Sequence, residues 1–107
     1  MAELDAEDAK LVTLARGARA RTSAPSGAAV RDDIGRTYAA ASVALPSLTL
    51  SAVQAAITAA LSSGSSKFEA VVIMADAPEL SEEDRALLGD VGNPTVIRVA
   101  TDGAVIA

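Results

Sequence analysis

Apolar residues at Leu4, Leu11, Leu14 and Ala18 recur at helical spacing, with Asp8, Lys10 and Arg16 available to solvent. This pattern predicts an amphipathic helix over residues 5–19, and Asp5, Glu7 and Asp8 suit its positive start. The stretch SAPSG at 23–27 stops that helix, since proline and glycine both oppose continuation. Residues 28–45 then read as two short strands around Asp32-Asp33-Ile34-Gly35, a hairpin whose second strand ends at Pro46. Ser51, with Gln54 three residues later, fits the reciprocal capping box of a second helix. On that helix Leu50, Val53, Ile57 and Leu61 form a stripe, and Ala52, Ala55, Ala56, Ala59 and Ala60 make it apolar almost all round. A helix without a polar face belongs between a sheet and another helix or another subunit.

After the SSGSS break at 62–66, residues 68–76 carry the apolar run Val71 to Ala75 and read as a central strand. Ser81 caps a third helix running through Leu87 and Leu88, with Glu82, Glu83 and Asp84 in its first turn. Residues 95–100 form a further strand, and Thr101-Asp102-Gly103 turns the chain into a last one. The order is α-β-β-α-β-α-β-β, that of a layered α/β domain with a mixed sheet. With no internal repeat and no long linker, residues 1–107 are expected to form one domain.

The 107 residues are 50% hydrophobic, but Tyr38 and Phe68 are the only aromatics, so alanine, valine and leucine must fill the core. Fourteen acids against nine bases give a net charge of -5, which repels phosphate backbones and argues against a nucleic-acid partner. Arginines gather at positions 16, 19, 21, 31 and 36 and acids at Glu3–Asp8 and Glu79–Asp90, a pattern that solvated faces or complementary subunit contacts explain better than an anionic ligand does. The acidic start is no secretory signal, and no apolar stretch reaches the length of about 18 residues that spans a bilayer. A cytoplasmic address and no membrane partner are therefore expected.

Cysteine and histidine are both absent, which removes disulfides, thiolate or imidazole metal sites and the serine-histidine-acid triad. Neither GxGxxG nor GxxxxGK[ST] occurs, and neither Lys10 nor Lys67 has a serine at a diagnostic spacing. Asp76, at the end of the central strand and close to Glu79, is the best isolated candidate. Its carboxylate could accept a sugar hydroxyl or hold magnesium, but a polar turn residue after a buried strand needs no ligand, and the structural role is the favoured one.

Several landmarks between Leu11 and the C-terminal turn resemble the small homotetrameric cytidine deaminases. They are Ala24-Pro25-Ser26, Gly35-Arg36-Thr37-Tyr38, the run from Ser42 to Ser51 with the helix after it, the strand before Asp76, and Pro94 through Gly103. The resemblance implies a three-layer fold and composite sites at subunit contacts. It also places the family's nucleoside-binding Asn-x-Glu at Ser42 and Ala44, and the metal-ligand, alanine and proton-shuttling glutamate at Val53, Gln54 and Ala55. The second metal motif, Pro-Cys-x-x-Cys, falls around residues 82–86, with Glu83 at the first cysteine.

None of the family's reactive groups survives at those positions. The expectation is a catalytically inactive cytidine deaminase-like homo-oligomer, dimer or tetramer, with no cofactor and no catalytic or metal-binding residue, serving as a scaffold or regulatory partner. Two alternatives stand beside it. One is a nucleoside or small-molecule binding module with a vestigial pocket of Tyr38, Ser42, Ala44, Val53, Ala55 and Asp76. The other is a non-zinc hydrolase using Asp76 with Glu79 or Asp32.

Overall fold

The computed structural model describes residues 4–106; Glu3 of the N-terminal acidic group lies outside them. In chain order the elements are α1 (Ala6–Thr22), β1 (Ser26–Asp32), β2 (Thr37–Ala41), β3 (Val43–Leu45), β4 (Leu48–Leu50), α2 (Ala52–Ser62), β5 (Phe68–Ala75), α3 (Glu82–Asp90), β6 (Thr95–Val99) and β7 (Val105–Ile106).

Local chemistry sets the boundaries. The Asp5 carboxylate caps α1 by accepting from the Asp8 amide at 2.8 Å. Ser23 closes the helix in the left-handed region at φ 52°, its N–H donating to the Ala20 and Arg19 carbonyls. Gly35, at φ 89°, makes the turn that returns β1 into β2.

Five strands form one mixed sheet in the order β2-β1-β5-β6-β7. The buried β5 run lies in its middle, antiparallel to β1 and parallel to β6, as its unbroken apolar sequence requires. Strand alternation then sorts side chains into two cores. Ala28, Val30, Val71 and Ile73 face α2 and α3, and meet Val53, Ala56, Ile57, Ala60 and Leu88. Ala29, Ala70, Val72 and Met74 face α1, and meet Leu11, Val12 and Ala15. Helix, sheet and helix pair make the three layers. Packing on the α1 side is close enough that a Cβ at Gly27 would stand 2.3 Å from the Ala15 carbonyl oxygen.

The structure departs from the sequence reading in three places. The stretch assigned to one long second strand breaks at Ser42, and beyond it β3 and β4 form a separate two-stranded hairpin. Leu14 and Leu61, placed on buried stripes, are 37% and 41% exposed. Ala15, Ala56 and Ala60 take inward positions instead, beside Ala18 as expected, because a sheet surface of alanine and valine lets helices sit close.

Asp32, read as a turn residue, is fully buried. One of its carboxylate oxygens accepts from the amides of Ile34 and Arg36, the other from Arg36 Nε and Ser65 Oγ, both at 2.7 Å. Burial alone would push the carboxyl pKa up. The bonds from Ser65, the Arg36 side chain and the two amides outweigh it and hold the pKa at about 2. No described helix is long and apolar enough to cross a membrane.

Candidate functional site

At the C-terminal end of β5 the chain leaves the sheet through Ala75 and Asp76, and the N-termini of α2 and α3 converge on the same place. Ser51 caps α2 in the capping box the sequence predicted: its Oγ accepts from the Gln54 amide at 3.0 Å, and Gln54 Oε1 accepts from the Ser51 amide at 2.9 Å. Ser81 caps α3, its Oγ accepting from the Asp84 amide at 3.0 Å. The two starts are joined to each other, since Ser51 Oγ donates to Asp84 Oδ1 at 2.6 Å. Asp84 is 3% exposed, so its buried side chain depends on this hydroxyl for a hydrogen-bond partner.

Beside the junction lies a cavity of about 410 Å³, lined by Pro25, Ser26, Ser51, Ala52, Ile73, Ala75, Asp76, Ala77, Glu79, Ser81 and Asp84. Asp76 Oδ1 accepts from Thr101 Oγ1 at 3.1 Å, which ties this rim to the β6–β7 turn.

Of the six residues assigned to a vestigial pocket, Asp76 lines the cavity and the other five do not. Tyr38 packs against the α2-side core, Val53 is fully buried within it, Ala55 is half-buried on α2 and Ala44 is exposed on β3. Ser42 comes near, donating its amide to the carbonyl of the cavity residue Ser26 at 3.1 Å; its own Oγ is enclosed without a hydrogen-bond partner. Asp32 pairs in register with Phe68 at the far end of β5, roughly 25 Å from Asp76 at the usual strand rise. A carboxylate pair of Asp32 with Asp76 is therefore ruled out.

Sequence reasoning missed Ser26 as a cavity residue, and it recognised Ser51, Ser81 and Asp84 only as features of their own helices. The capping signals were legible, but nothing in the sequence put the two helix starts side by side.

The donor set does not suit zinc. At the cavity the helix starts present two aliphatic hydroxyls and one carboxylate, with Glu82 and Glu83 outside its lining, whereas zinc is held by thiolate, imidazole and carboxylate. Among the described residues no group of three or more His, Cys, Asp or Glu could hold a metal ion.

The family model for cytidine deaminase-like proteins matches residues 4–104. The chain belongs to the cytidine deaminase-like family. Solved structures agree with this at the level of the fold. The cytidine deaminase of Burkholderia pseudomallei superposes with a TM-score of 0.78 at 22% identity, covering 92% of this chain and 88% of that one. The cytidine deaminase of Mycobacterium tuberculosis gives 0.72 at 24%, covering 90% and 85%, and that of Mycobacterium leprae 0.68 at 24%, covering 97% and 93%. At such identities the likeness is one of architecture. No curated protein matches the chain.

Proposed function

We propose that this cytidine deaminase-like chain does not catalyse zinc-dependent deamination and works as a homo-oligomeric scaffold or regulatory partner. The observation that carries the first half is the bonded pair Ser51–Asp84 at the starts of α2 and α3. Deaminases of this type need zinc ligands at two helix starts to activate water, and a nearby glutamate that is not a ligand to move the proton. Here the first turn of α2 offers a serine hydroxyl, an alanine, a core valine and a glutamine engaged in the capping box, and that of α3 a serine, the engaged Asp84 carboxylate and the exposed Glu82 and Glu83, which do not line the cavity. The groups these two turns present to the cavity include neither a thiolate or imidazole for zinc nor a carboxylate left over to carry a proton.

The second half is supported by apolar residues left on the surface. Leu45 and Leu48 face each other across the β3–β4 hairpin at 56% and 48% exposure, and Leu61 is exposed at the end of α2. Large side chains on a small hairpin suit a contact with another chain. The binding-module reading is favoured by the cavity with its Asp76 and Glu79 rim, which has the volume of a small-ligand site.

Sedimentation across a concentration series, combined with calorimetric titration against cytidine, uridine, cytosine and uracil, separates the two. A scaffold self-associates without nucleoside and gives no saturable heat. Saturable heat from any of the four compounds would transfer the proposal to the binding module.

A further inference from the structure

Ser51 Oγ uses both of its capacities, accepting from the Gln54 amide and donating its single proton to Asp84. At 2.6 Å the Ser51–Asp84 bond falls in the range of charge-assisted O–H···O⁻ contacts. The Asp84 amide, in turn, is held by Ser81 Oγ. A continuous run of hydrogen bonds thus links the first turns of two helices that are separated by the whole of β5.

We infer that Ser51, Asp84 and Ser81 form a metal-free clasp, in which hydrogen bonds hold α2 to α3 at the point where the family's two metal motifs meet. Spacing supports the placement. Ser81 and Asp84 stand three apart, like the cysteines of Pro-Cys-x-x-Cys, and the helix-start residue of the other motif is Ser51, the N-cap, with Ala52 next and Val53 after it. This moves the correspondence two residues back from Val53-Gln54-Ala55, and it explains why Val53 and Ala55 lie off the cavity while Ser51 and Ala52 line it. The glutamate position becomes Val53, whose side chain has joined the core. A metal cross-link between helix starts has been exchanged for a hydroxyl–carboxylate one, and the fold no longer depends on an ion.

The clasp goes beyond the scaffold reading and is tested without an activity assay. Chemical denaturation of the full chain is measured for wild type, Ser51→Ala, Asp84→Ala and the double variant. A hydrogen bond to a charged group predicts that the double variant falls short of the summed single effects by about ten- to a hundredfold in the unfolding equilibrium constant. Additive effects would overturn the clasp. Wild-type melting should be unchanged by EDTA and by tenfold excess zinc; a zinc-dependent rise would likewise overturn it.

Placement is read by gain of function in a chain carrying Ser51→Cys, Ser81→Cys and Asp84→Cys together. This variant should bind about one zinc per chain and melt at a chelator-sensitive temperature. A triple variant that neither binds zinc nor folds in its presence contradicts the placement. Deaminase turnover by the wild type would refute the proposed function, and the coupling measurement would still decide the clasp.

Discussion

Replacing Gly27 by alanine tests the close seat of α1 on the sheet. The added Cβ would stand 2.3 Å from the Ala15 carbonyl oxygen and 3.0 Å from Arg19 Cβ, and the first of these is backbone that no rotamer change can move. Restoring an ordinary contact of 3.4 Å requires α1 to retreat by about 1 Å. Leu11, Val12 and Ala15 would then separate from Ala29, Val72 and Met74. A gap of that size forfeits roughly a quarter to a half of each dispersion contact. Overpacking of this kind costs about 1–3 kcal/mol, and the rigid opposing atom puts Gly27→Ala at about 2–3 kcal/mol. In a domain of this length that is a fall in Tm of about 10–20 °C. Thermal unfolding by circular dichroism reads it directly, and urea titration should show a lower midpoint at unchanged slope. Gly64, with open space around its Cβ, is the comparison: Gly64→Ala meets only the strain of φ 106° and should cost about 1 kcal/mol. A Gly27→Ala protein melting within about 2 °C of wild type would refute the close packing on which the α1 layer rests.

Asp32 makes stability acid-sensitive. Its pKa is about 2 when folded against an ordinary 3.8, so its contribution is complete above about pH 5 and lost as pH falls from about 4 toward 2. Urea midpoints between pH 5 and 2 should fall less steeply in Asp32→Asn than in wild type, and equal slopes would remove Asp32 as the cause. Val53→Ala deletes two carbons from a fully buried site and should cost about 2 kcal/mol by denaturation; a loss well below 1 kcal/mol would mean that Val53 faces open space. Leu45→Ser with Leu48→Ser should weaken self-association at least tenfold by sedimentation while leaving Tm within a few degrees, because both side chains are half exposed. Unchanged association would move the contact to another face.

The layers were legible in the sequence because their signals are local. The apolar run Val71 to Ala75 could only be an inner strand, and Ser51 with Gln54 marked the start of α2 to the residue. Helix faces were less legible. In an alanine-rich chain the small residues seek the sheet and leave Leu14 and Leu61 outside, the reverse of what side-chain size suggests. The β3–β4 hairpin was hidden because the Pro46-Ser47 turn is as short as a strand end. Asp32 looked like a turn acid, and only the return of Ser65 and Arg36 makes it a buried anchor. The site was legible in pieces: Asp76 from its place after the central strand, and the serines as caps. Their convergence depends on the Ser51–Asp84 bond across two elements, which no local pattern encodes.

The proposed state of the chain is the deaminase fold kept without the deaminase chemistry. Its most direct test is ammonia release from cytidine by the purified chain in the presence of stoichiometric zinc, followed to high enzyme concentration. The structure predicts a rate indistinguishable from the protein-free blank. Zinc-dependent turnover, abolished by EDTA and restored by zinc, would contradict it.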